Sequence, residues 1–475
     1  GMDSLSAVEF RNRLAGELPS LDLPNTLIFD YPTIASVAGY ASEQLGSAAP
    51  IAVAGAPVSG GGLDEPLSVA GMASYFPAAA ATSAAFQCAI TQGVDGSVEV
   101  PFTRWELEEV WDPNPDAVGK MYPRHGAFVE GAEFFDAKFF GISPPEARAM
   151  DPQQRMLLET STNGLLDAGL EKSSLMGSEV SVHVGLANND WIQMQSWDFR
   201  KISPYTATGM SFSVSAGRIS YALGLKGPSY IVDTACSSAL VALDCSATAL
   251  RKGRASSALN TAANVMASPT TYISFSKPRM LSAQGRCFTF DASADGYARG
   301  EGCGAVVLRR PSEAQSAAAT ADTPAATLER CGLLGVAVNQ DGRSSTLTAP
   351  NGPSQHLVMM VALAEAKLAP EEVLHMECHG TGTPLGDPIE IGGLRSLNAT
   401  RSQEKPLILA AVKSNVGHLE GPAASTGLVK SVALMQHGAS MASLHLRSLN
   451  PSIAALSELP SAFATESMQF RMDAA

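Results

Sequence analysis

No Cys-x-x-Cys pair occurs in the 475 residues, and the seven cysteines, at positions 88, 236, 245, 287, 303, 331 and 378, are scattered and odd in number. That pattern argues against a disulfide framework and for a reducing compartment, the cytoplasm or a plastid. Basic charge is also in short supply. The 32 Lys and Arg stand against 46 Asp and Glu, a formal net charge of -14, and no Lys/Arg stripe interrupts that balance. A nucleic-acid partner needs clustered cations to displace counterions, so none is expected. Long apolar runs are missing too. The one long uncharged stretch, Gln44 to Leu63, is broken by Pro50, Pro57 and Gly60-Gly61-Gly62. It reads as a flexible linker and not as a membrane span. Residue 1 is Gly and a helical pattern begins almost at once, so sequence upstream is expected and targeting signals are not legible.

What is present is core-forming material: 45% of residues are hydrophobic, with a mean hydropathy of +0.07. The length suits about three domain-sized units, or one large fold with a small one. In "GMDSLSAVEFRNRLAGELPS", Ala7, Phe10, Leu14 and Leu18 fall on one face at helical spacing, and Pro19 ends the run. A second helix follows "FDYPT", with Pro32 in its first turn and Ile34, Val37, Ala38, Ala41 and Leu45 as one stripe. Ser4, at the N-terminal edge of the first helix, has two readings. It is a cap for free amides, or a point of attachment whose phosphate the helix dipole would favour.

From residue 65 onward the texture is mixed α/β, with strand-like runs "LSVAGM", "CGAVVLRR" and "LILAAV" among helical stretches, which implies a layered α/β fold. The low-complexity patch Ser312 to Thr327 reads as a surface loop between two half-domains. In "SYIVDTACSSALVALDCSATALRKG", the first residues read as a buried strand. Ala239, Leu240, Leu243, Ala247 and Leu250 then mark a helix that Gly253 closes. Cys236 lies at the positive end of that helix, where the dipole and free amides stabilise a thiolate and lower its pKa. The competing reading is an inert buried cysteine.

A nucleophilic thiol also needs polar partners that the fold brings near. His379, in "MECHGTGTPLGDPIE", sits where an apolar strand meets a Gly- and Thr-rich turn. His418, in "AAVKSNVGHLEGPAA", has Lys413 and Glu420 close by. Either could equally be a hydrogen-bonded core histidine. His375, Cys378 and His379 offer metal-ligand chemistry, but neighbours on a strand face opposite ways and no fourth ligand is evident, so no metal is expected. "GTGTPLGD" lacks the lysine of a phosphate loop.

Six segments, "FFDAKFFGISPPEARAMDPQQRMLLE", "AGRISYALGLKGPSYIVDTACSSALVAL", "FDASADGYARGEGCGAVVL", "VNQDGRSSTLTAPNGPSQ", "HGTGTPLGDPIE" and "KSNVGHLEG", occur in the order seen in the β-ketoacyl synthase domain of type I modular polyketide synthases. The chain resembles that family over nearly all of Glu65 to Asn450. "GMDSLSAVEFRNRL" with "LPNTLIFDYPTIASVAGY" resembles the second half of its acyl carrier domain. The resemblance implies a partial carrier over 1–46, a linker over 47–64 and a ketosynthase domain over 65–475. It implies a thiolase-like, layered α-β-α-β-α fold, usually dimeric. It assigns Cys236 as nucleophile, His379 and His418 as its partners, Lys413 and Glu420 as support, and Ser4 as the site of covalent 4'-phosphopantetheine. The implied reaction is decarboxylative Claisen condensation of an acyl-cysteine thioester with a malonyl-type extender on a carrier. The alternatives are a non-elongating domain that only passes acyl chains, or a fatty-acid type condensing enzyme. Retention of both histidines favours elongation.

Three stretches depart from the family pattern: "TNGLLDAG" stands for a Trp-Glu-Ala-Leu-like run, "ASSALNTAANVM" for a more Gly-rich one, and Pro422 for a small residue. None removes a reacting group. The resemblance also implies a Phe- and Gly-rich turn with a GTNAH-like motif after "LHLRSLNPSI". This sequence does not contain it, so the expectation is that the piece alone is poorly soluble and does not condense.

Overall fold

The computed structural model describes residues 4–19, 21, 23, 34–44, 66–195, 199–311, 330–342, 349–394, 397, 401–454 and 460–470. The expected linker beyond Gln44, the low-complexity patch and the positions of Pro32 and Leu45 lie outside them. The chain divides into two compact units, Gly1–Val58 and Ser59–Ala475.

In the small unit, α1 (Ser4–Glu17) and α2 (Ile34–Gln44) meet over a minimal core. Leu14 and Leu18 of the first segment and Val37, Tyr40 and Ala41 of the second close on Leu21 and Leu23. Arg11 Nε donates to the Leu23 carbonyl at 2.8 Å and holds that link in place. The expected apolar stripes are only partly used: Phe10 is 38% and Ile34 90% exposed. Ile34 is the first residue of its helix, and a core of two leucines does not reach that far.

In the large unit a six-stranded sheet forms from β1 (Leu67–Tyr75), β2 (Val180–Gly185), β3 (Ser229–Val232), β4 (Ser257–Asn264), β5 (Gly302–Arg309) and β6 (Cys331–Leu333). Its order is β3-β2-β4-β5-β1-β6. The β3-β2-β4 part is parallel and the rest antiparallel. Strand periodicity decides which side each residue serves. On β5, Cys303, Ala305 and Val307 face α3 (Pro152–Asp167) and α4 (Phe212–Leu223). Val306 and Leu308 face α5 (Ser238–Arg251) and α8 (Ala423–His437). The sheet is covered on both sides, so β4 and β5 are buried at every position, and the polar Asn260, Thr261 and Asn264 of β4 are each hydrogen-bonded.

Between α5 and the C-terminal half lies a second, parallel sheet of β7 (His375–Glu377), β8 (Leu407–Ala410) and β9 (Ser461–Phe463), in the order β9-β8-β7. Its outer side packs Leu407 and Leu409 against α6 (Gly352–Ala366) and α7 (Gly386–Gly393). The stack is helix, sheet, helix, sheet, helix, with α5 and α8 in the middle layer.

One expectation fails here. The run before Cys236 is not a buried strand, since β3 is the sheet's edge and Ser229 and Tyr230 are exposed. A four-residue apolar run looks the same in either place, because burial depends on which strand comes next. The departing "TNGLLDAG" segment packs on the sheet. Gly164 on α3 lies so close to β5 that an added Cβ would meet Ala305 Cβ at 3.2 Å.

Candidate active site

Cys236 lies in one tight turn, Ala235–Ser237, that runs straight into α5. Ala235 carries the strain of the turn, with φ +53° in the left-handed region that non-glycine residues seldom occupy. Such a conformation costs on the order of 1 kcal/mol, and hydrogen bonds offset it. The Thr234 N–H donates to Ser238 Oγ (2.9 Å), and the Ser238 hydroxyl donates to the Ala235 carbonyl (2.7 Å). Beneath the turn, Gly185 ends β2 so near the helix that a Cβ would lie 2.9 Å from the Ala239 nitrogen. The buried Asn260 of β4 donates to the Ala239 carbonyl at 3.1 Å. The polar β4 sequence, a departure from the family pattern, thus fastens the helix that follows Cys236 from below.

His379 and His418 arrive on the loops after β7 and β8. One nitrogen of each ring and the Cys236 sulfur all lie within 4.8 Å of one another. The rings meet edge-on, with centroids 5.4 Å apart. A cavity of about 320 Å³ opens onto Cys236 and His379, with Lys413, Ser237, Leu240 and Gly427 among its walls.

The two histidines are held differently. His418 is buried and pinned on three sides. Its N–H donates to the Ala298 carbonyl (2.7 Å), its carbonyl accepts from Gly300 (2.8 Å), and its Nδ1 accepts from the Glu420 N–H (2.9 Å). Because Nδ1 is an acceptor, the neutral ring carries its proton on Nε2 and can only donate from there. His379 opens onto the cavity, and only its backbone is gripped. The carboxylate of Glu390 accepts from the N–H groups of His379 (2.6 Å) and Gly380 (2.8 Å). Asp387 accepts from Gly382 (3.1 Å) in the same loop and from Phe290 (2.8 Å) of a distant segment packed against it.

Burial and then the Lys413 charge push His379 down, to about 3, while burial, Lys413, His379 and Arg299 push His418 well below the ordinary imidazole value. Although the His379 ring faces a cavity that water can enter, the direction is the same for both, and both are neutral at pH 7. Cys236 departs from expectation. Burial raises its thiol above the usual value, and Lys413 only opposes that rise. The helix end alone therefore does not settle the thiol's acidity, since removing a thiolate from water outweighs the nearby ammonium. Lys413, the supporting residue of the resemblance, contributes a charge here. It lies buried at the start of the turn Lys413–Val416 and acts through its field on Cys236, both histidines, Asp387 and Glu390.

Glu420 meets His418 through its backbone N–H, and its carboxylate has a partner that sequence reasoning did not single out. Arg299, fully buried, grips its carboxylate with two bonds, Nε to Oε1 at 2.5 Å and a terminal nitrogen to Oε2 at 3.0 Å. Glu390 and Asp387 were missed as well. All three sit inside quoted motifs, "DGYARGEG" and "GDPIE", so the only available signal was a charge amid small residues.

Cys236, His379 and His418 have the ligand chemistry of a metal site. The Glu420 amide argues against one, because a metal on His418 Nε2 would force the proton onto Nδ1, donor against donor. Cys378 borders the same cavity but is not poised to react. Burial beside Glu390, Glu377 and Asp387 raises its thiol well above the usual value.

Comparison with known proteins agrees with this geometry. The β-ketoacyl synthase N-terminal domain matches residues 64–314, its C-terminal domain residues 330–447, and the phosphopantetheine attachment site residues 1–41. Polyketide synthase GfsB of Streptomyces halstedii is 44% identical over 449 residues, 94% of this chain and 8% of that protein. The pikromycin polyketide synthase component PikAII of Streptomyces venezuelae is 44% identical over 453 residues, 94% of this chain and 12% of that protein. The chain thus spans a small fraction of the curated relatives it matches. Among solved structures, the oxazolomycin ketosynthase domain OzmH KS7 of Streptomyces albus JA3453 superposes with a TM-score of 0.79 at 33% identity, covering 86% of this chain and 71% of that one. A ketosynthase from module 6 of the bacillaene synthase of Bacillus subtilis 168 gives 0.78 at 30%, covering 86% and 68%. These ketosynthases share the thiolase-like layering seen here, and such domains extend chains by decarboxylative Claisen condensation. The chain belongs to the β-ketoacyl synthase family, as a ketosynthase domain of the type I modular polyketide synthases preceded by a phosphopantetheine attachment domain.

Proposed function

We propose that this chain elongates a polyketide by condensing an acyl group on Cys236 with a malonyl-type unit carried on a carrier thioester. The observation that carries the reading is the convergence of one thiol and two neutral imidazoles within 4.8 Å. In the first half-reaction the Cys236 sulfur attacks the incoming thioester carbonyl. A new carbon–sulfur bond forms, the old one breaks, and the thiol proton leaves with the departing carrier thiol. His379, whose ring faces the cavity, is placed to relay that proton. In the second, malonyl loses carbon dioxide and its electron pair becomes an enolate, whose oxygen needs neutral N–H donors. His418 offers a fixed Nε2–H. The enolate carbon then attacks the Cys236 thioester, forming the carbon–carbon bond and releasing the sulfur, which takes a proton from solvent.

Ser4 is the residue we assign to 4'-phosphopantetheine. It is the first residue of α1, and that helix has no acidic residue in its first turn to oppose a phosphodiester. When bound, the group supplies a thiol on a long arm. The carrier is taken as 1–46, the linker as 47–64 and the ketosynthase as 65–475, which the division between Val58 and Ser59 supports. We infer a homodimer through β3, whose outer edge is unpaired among the described residues, with Tyr230 43% and Tyr221 90% exposed nearby. Light scattering of a Tyr230→Lys variant tests it, and an unchanged dimer would move the interface elsewhere. Seven free cysteines suit a reducing cytoplasm, and no helix among the described residues is long and apolar enough to cross a membrane.

The deciding experiment follows the acyl group. Mass spectrometry should find it on Cys236 after incubation with an acyl thioester, and addition of malonyl-carrier should discharge it as a β-ketoacyl product. Discharge without a new carbon–carbon bond would replace elongation by acyl transfer.

A further inference from the structure

Glu420 is in an unusual backbone state. Its φ is +57°, whereas the other left-handed residue of this loop is Gly417 at +70°, where the absence of a Cβ removes the penalty. A glutamate is placed there against its own preference, so something outside the loop must hold it. The candidate is Arg299, 121 residues away, whose planar fork takes both carboxylate oxygens. Arg299 is itself immobilised. Its guanidinium lies over the ring of Tyr272 at 4.7 Å and near that of Phe275 at 5.5 Å, and its side chain is fully buried. The backbone of the same short segment bonds His418 on either side, through Ala298 and Gly300. One piece of chain therefore sets both where His418 stands and which way the Glu420 amide points.

We propose that Arg299 is a positioning residue for condensation: by clamping the Glu420 carboxylate it aims the Glu420 N–H at His418 Nδ1 and fixes the ring in the Nε2–H tautomer. Arg299 touches no substrate and lies behind the imidazole. Released from the clamp, residue 420 would leave the left-handed region, its amide would turn away, and the ring would be free to carry its proton on either nitrogen. Only one of those forms presents a donor from Nε2. The inference rests on the proposed condensation for its effect on rate, while the tautomer is readable without turnover.

The test uses the 475-residue chain with 15N-labelled histidine, its His418 signals assigned by their loss in His418→Asn. In the wild type, Nδ1 should give the signature of an unprotonated nitrogen and Nε2 that of a protonated one, unchanged across neutral pH. Arg299→Lys keeps the charge and loses the fork. Arg299→Met combined with Glu420→Gln leaves no unpaired buried charge, which guards against misfolding, and keeps a side chain that disfavours the left-handed state. Both should show mixed tautomers, with single-turnover condensation reduced about tenfold to a hundredfold, less than the roughly hundredfold to thousandfold of a preorganised donor lost outright, because part of the population keeps the Nε2–H form. Acylation of Cys236 should change far less. A folded double variant with an unmixed Nε2–H tautomer overturns the proposal, as does a loss confined to KM for the carrier. If the wild type condenses while its tautomer ignores Arg299, positioning alone fails. If the tautomer depends on Arg299 in a chain that does not condense, positioning stands and the condensation reading fails.

Discussion

The His379 loop and the His418 loop leave adjacent strands of one sheet, and they secure their rings by opposite means. Around His379 the backbone is anchored: Glu390 and Asp387 between them accept from four backbone N–H groups, and the imidazole is left facing the cavity. Around His418 the ring itself is anchored, through the Glu420 amide at 2.9 Å. In the proposed reaction the ring held only through its backbone is the one that can turn to relay a proton, and the ring with one nitrogen occupied is a donor of fixed direction. The two copies of one residue type differ in which atoms are restrained.

The largest effect expected comes from removing what both rings serve. Cys236→Ala should abolish self-acylation while malonyl decarboxylation persists, because both N–H donors remain. Loss of decarboxylation as well would mean that the thiol, and not the rings, organises the extender. Next come the rings themselves. His379→Ala and His418→Ala should each lower single-turnover condensation by about a hundredfold or more. The comparison predicts that acylation of Cys236 suffers more in the His379 variant. Equal loss of acylation in both would erase the distinction between a proton relay and a fixed donor.

A smaller effect is expected from Glu390→Gln. The amide keeps an acceptor oxygen but turns an NH2 toward one of two N–H donors, so one buried donor goes unpaired at a cost of about 1–3 kcal/mol. A lowered urea midpoint with slower condensation checks this. An unchanged midpoint would show that Asp387 holds the loop alone. The smallest effect concerns the thiol. Burial raises the Cys236 pKa above the ordinary thiol value, so its iodoacetamide reactivity should climb through an alkaline midpoint. Lys413 lowers that pKa, so Lys413→Met should move the midpoint further up and slow labelling at pH 7, by about tenfold at most. Peptide mass spectrometry should still find Cys236 labelled ahead of Cys378, whose three carboxylate neighbours oppose a thiolate. Faster labelling of Cys378 would undo the contrast between the two thiols of this cavity.

Local sequence was enough to place the candidate site residues on their elements. A strand that stops, a turn of small residues and a helix that begins put Cys236 at a helix N-terminus, and the Gly- and Thr-rich run after an apolar strand put His379 at a cleft. These are short-range patterns, set by steric rules acting within a few residues. The edge position of β3 and the exposure of Ile34 were not legible, because an apolar pattern records which face is buried but not how far the neighbouring core extends. Nor was Arg299, whose partner lies 121 residues along the chain. No periodicity links them.

Composition and texture thus pointed, from sequence alone, to a layered α/β fold, and motif order to the ketosynthase family, with Cys236, His379 and His418 as the residues that the resemblance singled out. Only the tertiary structure decided their chemical states. The helix dipole at Cys236 is a local property and pointed toward an acidic thiol. Desolvation is a property of everything packed around it, and that carried the thiol the other way, with Lys413 opposing. The tautomer of His418 likewise follows from one amide whose direction depends on a left-handed glutamate and a distant arginine. Charge and proton position depend on distances and dielectric surroundings through space, and the order of residues along a chain does not contain those until the chain has folded.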